Sequence, residues 1–209
     1  MSIVTWRDAV LPRLPGALQA DVDAEIKIII ERFCRDATAW RKVLYDYDIV
    51  INDREIELDP VDGGVEGKVA GILRVYYDGT RLTDYSHVPF EVTSDYPTGW
   101  TQDPEDTSKI LLSYLPISSV ADKINAWVFL VPLDTDVFLP DVLLETHWED
   151  IFDGVMGRMY QKPNKPWTDL GASAYHLKRF RTRSTQARDM ANRGYTGNAQ
   201  NWTFNSFGR

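Results

Sequence analysis

The chain has 209 residues, of which 44% are hydrophobic and 12% aromatic, so it can form a globular domain with a substantial core. Its single cysteine, Cys34, excludes a disulfide within the chain and, lying in an apolar helical pattern, is expected to be buried. No apolar run approaches the roughly 18 residues of a membrane-spanning helix, and no basic-then-apolar leader opens the chain. We therefore expect a soluble protein made in the cytoplasm.

The net charge of -8 is distributed unevenly. Residues 158–209 contain 10 basic and 2 acidic residues, a charge of +8, which leaves 13 basic and 29 acidic residues, a charge of -16, in residues 1–157. Oppositely charged surfaces favour ordered association over non-specific nucleic-acid binding. A solvated basic helix face explains the same asymmetry equally well.

The first segment, residues 1–42, is predicted to be an arm followed by a helix of a helical domain. Pro12 and Pro15 limit the arm to a short helical turn. A strong helix then runs from Asp21 to about Thr38 or Trp40. Its apolar positions recur at helical spacing: Val22, Ile26, Ile29, Phe33, Ala37 and Trp40. Ile28, Ile30 and Cys34 widen this surface, which predicts packing against two helices or a neighbouring subunit.

Residues 43–139 change to a period near two, which predicts an inserted β domain. Asn52-Asp53 and Asp78-Gly79 mark turns, and residues 110–115 and 123–131 are the last clear strands. The short strands between helices indicate a small antiparallel barrel or sandwich. Residues 93–108 are expected to form a polar loop. Its Tyr96 and Trp100 either contact a partner or a sugar, or pin the loop to its own domain.

Residues 140–194 are predicted to be a helical hairpin that completes the helical domain. Leu144, Trp148, Ile151, Val155 and Met159 form the apolar stripe of its first helix. Pro163 and Pro166 end this helix. Gly154 and Gly157 lower helix propensity, so a close helix–helix contact is expected there.

The second helix of the hairpin is predicted to start with Thr168 as its N-cap and to end at Gly194. Its inward stripe is expected to comprise Leu170, Ala174, Leu177, Phe180, Ser184, Ala187 and Ala191. Residues 195–209 follow as an extended tail. The tail's Trp202, Phe204 and Phe207 suit a strand added to another surface, and a frayed end is the alternative. The expected fold class is α+β, a helical bundle with the inserted β domain.

The sequence nominates no catalytic, cofactor-binding or metal-ligating residues. His87, His147 and His176 lack metal-like spacing, and no phosphate loop, GxSxG or HExxH motif occurs. The carboxylate pairs Asp134/Asp136 and Glu149/Asp150 are typical of solvated surface. A Ser-His-Asp site stays open because its members need not be close in sequence. We expect no enzymatic activity and no cofactor.

The basic run of the last helix is the strongest candidate for a binding surface. It comprises Lys178, Arg179, Arg181, Arg183, Arg188 and Arg193. Such a run can face passing DNA or an acidic partner, or it can be the solvated face of the helix.

The ordered features of the chain resemble the head-to-tail adaptor, or connector, proteins of tailed bacteriophages. The resemblance covers nearly the whole chain and depends on order and spacing. The matching features are Trp6, Leu14-Pro15, Phe33-Cys34, Ala39-Trp40, Leu139-Pro140-Asp141, Lys162-Pro163, Pro166-Trp167, Tyr175, Phe180, Ala187 and the aromatic tail. The chain departs from the family where it has Gly154-Val155 and Gly157, and its insertion is unusually acidic.

The resemblance implies a structural virion protein of the neck region. It implies a homo-oligomeric ring of about twelve copies that binds the portal protein, presents a platform for tail or nozzle proteins and extends the channel through which genome DNA passes during ejection. The C-terminal residues Trp202, Phe204, Phe207 and Arg209 would then dock on the portal or an adjacent subunit. The loop residues Tyr96 and Trp100 would contact a tail protein. The alternatives are another phage tail completion or assembly protein, and a monomeric ligand-binding module using residues 93–108.

Overall fold

A computed structural model describes residues 3–62, 65–85, 97–133 and 139–193 of the chain. The α-helices are α1 (Val4–Val10), α2 (Gln19–Ala37), α3 (Trp148–Tyr160) and α4 (Leu170–Asn192). A 3₁₀ turn, Leu11–Arg13, follows α1, and a π-helical turn, Val142–Thr146, precedes α3. The strands are β1 (Arg41–Ile49), β2 (Glu55–Glu57), β3 (Val61–Asp62), β4 (Val65–Tyr77), β5 (Thr80–Arg81), β6 (Thr83–Asp84), β7 (Gly99–Gln102), β8 (Lys109–Leu112) and β9 (Val120–Pro132). The predicted α+β class is confirmed.

Helix α2 lies at the centre of the helical packing. Its predicted stripe is buried from Val22 to Ala37, and Thr38, at φ 46°, ends the helix in the left-handed conformation. The helix packs against α1, α3, α4 and strand β9 of the same chain. Ile30 and Cys34 of the predicted wider surface are buried, whereas Ile28 is 45% exposed and is not covered. Cys34 is fully buried as expected, and this burial raises the pKa of its thiol.

The larger sheet has the strand order β1-β9-β4-β3, with β5 paired to β4, and all of these pairs are antiparallel. The predicted Asp78-Gly79 hairpin is confirmed. Both residues have positive φ, 47° and 78°, as a two-residue turn between twisted strands requires. On the face toward α2, strand β9 contributes four fully buried residues, Ile124, Ala126, Val128 and Leu130. Alternation along β9 therefore joins the sheet to the helices.

The smaller sheet has the order β2-β8-β7-β6 and buries Ile56, Trp100, Ile110 and Leu112. The short β6–β7 pair is parallel, so the expectation of a purely antiparallel insertion was wrong at this point. Strand β7 lies within residues 93–108, which were predicted to form a loop. Trp100 of this strand takes part in the sheet and the core, so the loop prediction was wrong at β7. The described strands form two sheets and no closed barrel.

The predicted close contact at the glycines of α3 is confirmed. A Cβ atom on Gly154 would lie 2.6 Å from Ile29 Cγ2 of α2 and 2.8 Å from Phe180 Cδ2 of α4. A Cβ atom on Gly157 would lie 2.7 Å from Leu177 Cγ and 3.1 Å from the backbone nitrogen of Leu177. Both glycines are therefore present because neighbouring helices occupy the space that a side chain would need.

The predicted inward stripe of α4 was wrong in its first half. Leu170 is 70% exposed and Ala174 is also exposed, whereas Ser173 is buried. Ala174 follows Ser173 by one residue and therefore points about 100° away around the helix. The buried face follows the spacing of Ser173, Phe180, Ser184, Ala187 and Ala191. The predicted C-cap, Gly194, lies outside the described residues.

Candidate functional site: the basic face of helix α4

The connector between α3 and α4 holds the last helix in a fixed position. Thr168 Oγ1 donates to Lys162 O at 2.6 Å and accepts from Lys165 N at 3.0 Å. Asp169, not Thr168, is the N-cap, because its carboxylate accepts from Ala172 N at 2.9 Å. Thr168 thus closes the connector, and the helix begins one residue later than predicted.

Two of the predicted basic residues, Arg179 and Arg183, are held by carboxylates of α3. Arg183 Nη1 donates to Glu149 Oε2 at 2.9 Å and to Asp150 Oδ1 at 3.0 Å. Arg179 Nε lies 3.1 Å from Asp153 Oδ2, close enough for an ion pair although not aligned for a hydrogen bond. These two side chains join α4 to α3 and are engaged within the chain.

Of the other four residues of the run, Arg193 lies just after the helix, and Lys178, Arg181 and Arg188 are exposed along it. Among the described residues, none of the three has an ion pair or a side-chain hydrogen bond. Their spacing of three and seven residues places them within about 80° of one another on the helix surface. We call these three residues the α4 cation face. The five basic residues within α4 therefore divide into an internal pair and an outward face.

Two histidines extend the internal network at the α3–α4 contact. His147 is 2% exposed, and its Nδ1 lies 3.1 Å from Asp150 Oδ2. Its ring packs against Phe33 with a centroid distance of 4.9 Å. His176 Nδ1 lies 2.8 Å from Oδ1 of Asp153, whose residue is 3% exposed. Each buried carboxylate thus has one histidine and one arginine as partners.

The network favours the charged forms of Asp150 and Arg183. Burial alone would raise the pKa of the Asp150 carboxyl, but hydrogen bonds from His147 and Arg183 outweigh it and lower that pKa. The hydrogen bonds to Glu149 and Asp150 raise the pKa of the Arg183 guanidinium. The sequence had suggested that Glu149/Asp150 is solvated surface. This is wrong for Asp150, whose side chain is 14% exposed, while the Glu149 side chain is 69% exposed.

The two buried serines of the hairpin donate hydrogen bonds to backbone carbonyls. Ser173 Oγ donates to Gly157 O at 2.7 Å, and Ser184 Oγ donates to Phe180 O at 2.8 Å. Neither hydroxyl is bonded to His147 or His176, whose Nδ1 atoms face carboxylates. The described part of the hairpin therefore brings histidine, carboxylate and arginine together as a structural network, without a serine nucleophile bonded to a base.

The remaining predicted site residues divide into two groups. Trp100 is 2% exposed, and its carbonyl accepts from Tyr85 N at 2.8 Å, so its ring belongs to the core of the smaller sheet. Tyr96 and the tail residues Trp202, Phe204, Phe207 and Arg209 lie outside the described residues. The histidine–carboxylate pairs were missed by sequence reasoning. The three-residue spacing of His147 and Asp150 was the available signal, whereas His176 and Asp153 meet only in the folded hairpin.

A scan of protein-family models gives no match to this chain, and no curated protein sequence matches it. In the described ranges, no helix combines the length and apolarity needed to cross a bilayer. The same ranges hold no group of three or more His, Cys, Asp or Glu side chains arranged to bind a metal ion.

Proposed function

We propose that the chain is a structural protein of tailed-bacteriophage virions, a head-to-tail adaptor without enzymatic activity. In this role it forms a ring, of about twelve copies by analogy, between the portal and the tail or nozzle proteins. The proposal draws on the order of sequence features from Trp6 to the aromatic tail, which resembles the adaptor family.

The structural observation that supports it best is the α4 cation face. Lys178, Arg181 and Arg188 are exposed on a helix that the connector, the glycine contacts and the arginine–carboxylate pairs hold in place. In a ring, repetition of this face around the axis would line a channel with cations. Such cations contact phosphates without reading base sequence, which suits DNA that must pass through.

The same proposal gives a role to the two sheets and to the C-terminal residues. The two sheets form a sandwich-like insertion in the helical framework, linked where Thr107 Oγ1 donates to Val69 O at 2.6 Å. This acidic insertion presents the platform for tail or nozzle proteins. The tail residues Trp202, Phe204, Phe207 and Arg209 dock on the portal or an adjacent subunit.

The test is native mass measurement and negative-stain imaging of the full chain, with and without the portal protein of the same phage. We expect ring density that caps the portal. A chain that stays monomeric and leaves the portal bare contradicts the proposal, whereas a monomer that forms a ring only on the portal agrees with it.

A variant and its matched control test whether the α4 cation face contacts DNA. Neutralising Lys178, Arg181 and Arg188 to Gln is expected to leave portal capping intact and to reduce the salt dependence of duplex DNA binding. Neutralising the exposed Arg32 and Arg35 of α2, which pair with Asp36 and Glu31, is the control and leaves DNA binding unchanged. Equal DNA binding by the α4 variant and the wild-type chain would remove the assigned role of this face.

A further inference from the structure

A second basic surface lies at the carboxyl-terminal end of α4, next to the strands of the larger sheet. It is a cleft of about 460 Å³ between the larger sheet and the carboxyl-terminal end of α4. We call it the arginine cleft. Its lining includes Arg41, Arg74, Arg81, Arg193, Leu73 and Trp127, and none of the described residues that line it is acidic.

Two of the three arginines that the sheet contributes are available to a ligand. Arg74 and Arg81 are exposed, and in the described part of the chain neither takes part in an ion pair. The Arg74 guanidinium lies over the ring of Trp127, 5.7 Å from its centroid, and Trp127 is 40% exposed. This contact orients one guanidinium while leaving its edge open to carboxylate or phosphate oxygens.

Arg41 forms the fixed base of the cleft. It donates to Ala191 O at 2.8 Å, to Asn192 Oδ1 at 2.7 Å and to Thr38 O at 2.9 Å. These bonds join the first residue of β1 to the ends of α2 and α4. The cleft is therefore built on a rigid junction of sheet and helices and carries a high local positive charge in a chain whose net charge is -8.

A surface of opposite charge lies on the smaller sheet. Glu57, Asp59 and Glu105 are exposed, and Asp103 is half-buried beside them. A hydrogen bond from Leu58 N to Ser108 O and another from Asp103 N to Lys109 O hold both acidic segments, residues 57–59 and 103–105, beside the start of β8. We call these four residues the acidic knuckle. The nearest cation of the same strands, Lys109, is already engaged with Glu55 at 3.5 Å.

We propose that the arginine cleft receives the acidic knuckle of a second copy of this chain. The cleft and the knuckle are different surfaces, so the contact is head-to-tail, the type of contact that closes into a ring under a suitable rotation. Arginine forks match carboxylate geometry, and the exposed Trp127 ring is covered on docking. The chain itself carries the complementary acidic surface, so a second copy is the occupant that the charges favour, and nucleic-acid binding is an outcome of the tests below. The inference rests on the proposed ring and names the surfaces that form it.

Charge reversal tests the pairing. The variant Arg74→Glu/Arg81→Glu and the variant Glu57→Lys/Glu105→Lys are each expected to self-associate at least about tenfold more weakly than wild type, because like charges then face each other across the contact. The variant with all four changes restores the opposite charges and is expected to regain association. Sedimentation velocity at high protein concentration and low salt gives the readout, and circular dichroism checks that each variant is folded.

A double cysteine variant tests the same contact by disulfide formation and leaves most of the charged residues of both surfaces unchanged. Native Cys34 is buried, so thiols introduced by Arg81→Cys and Glu105→Cys are the accessible ones. Mild oxidation of this double variant is expected to give a ladder of covalent multimers, whereas either single variant gives at most dimers. Absence of the ladder together with unchanged association of the charge-reversed variants overturns the proposal.

The remaining outcomes separate this inference from the proposed function. Reversal in the cleft that lowers DNA affinity without lowering self-association makes the cleft a nucleic-acid site and overturns the pairing. Restored association in the four-change variant without any portal capping supports the pairing and overturns the adaptor role. Portal capping that persists undiminished in both charge-reversed variants keeps the adaptor role and rejects the cleft–knuckle contact.

Discussion

The α3–α4 hairpin and the smaller sheet bury their side chains in opposite ways. At the hairpin contact several buried residues are small or polar, including Gly154, Gly157, Ser173 and Asp153, and they lie beside large ones such as Phe180. In the smaller sheet the buried positions carry large apolar groups, with Trp100 at 2% exposed and Ile110 and Leu112 fully buried. The hairpin thus gains stability from close approach and paired charge, and the sheet from apolar area removed from water.

This difference predicts opposite sensitivities. Added volume or a lost charge should destabilise the hairpin, since its helices leave no space and its carboxylates are paired. Lost volume should destabilise the sheet, since its rings and aliphatic groups fill the interior. The predictions below test this contrast in order of expected effect.

Removal of the Trp100 ring should have the largest effect. Trp100→Ala is expected to lower the free energy of unfolding by about 3–5 kcal/mol, because a fully buried aromatic side chain is lost and a cavity remains. Urea unfolding followed by circular dichroism measures the change. Tyr45→Ala is the control, since Tyr45 is 64% exposed on β1 and should change stability by no more than about 0.5 kcal/mol. Equal midpoints for Trp100→Ala and wild type would contradict the core position of this ring.

Addition of one methyl group to the hairpin should come next. Gly154→Ala is expected to destabilise the fold by about 1–3 kcal/mol, because the new Cβ would overlap Ile29 and Phe180 and would force the helices apart. Gly171→Ala is the matched control in the first turn of α4, where the only close atom is Asp169 Oδ1 at 3.3 Å. Higher helix propensity should make this control neutral or stabilising by up to about 1 kcal/mol. A stabilising Gly154→Ala would show that the helices are not in close contact.

Much of the fold could be predicted from sequence, because apolar spacing decides which face of an element is buried. The stripe of α2 and the Asp78-Gly79 turn were predicted at the residue level, since each depends on local geometry. The buried face at the start of α4 was harder to predict from the sequence. Leu170 is apolar yet exposed, and Ser173 is polar yet buried, because the approach of α3 at Gly157 selects a small residue that can donate to a carbonyl.

The candidate site was only partly predictable for a related reason. Sequence shows that α4 is basic, but it cannot show which cations find partners across the hairpin. Arg179 and Arg183 differ from Lys178 and Arg181 only in facing the carboxylates of α3. The arginine cleft was also missed, since its members come from β1, β4, β5 and the end of α4 and meet only in the folded chain.

Removal of one buried charge tests the electrostatic half of the hairpin. Asp153→Asn is expected to cost about 1–2 kcal/mol, because His176 and Arg179 lose the charge of their shared partner. The cost stays small because the Arg179 side chain is 37% exposed and water compensates part of the lost interaction. Glu149→Gln is the control and should change stability by less than about 0.5 kcal/mol, since this carboxylate is 69% exposed. Equal effects of the two substitutions would show that burial of Asp153 carries no energetic consequence.

The smallest effect should depend on pH. The folded-state pKa of Asp150 lies below its unfolded value, so its contribution is present above the unfolded pKa of about 4 and is lost as the pH falls through the folded-state pKa. We expect Asp150→Asn to be about 1 kcal/mol less stable than wild type near pH 7, and the gap to narrow as the pH falls below about 4 and through the folded-state pKa, where Asp150 also becomes neutral. Asp36→Asn, at an exposed pair with Arg32, should show no such convergence. A gap for Asp150→Asn that stays constant across this range would mean that packing, and not the ionised carboxylate, holds α3 to α4.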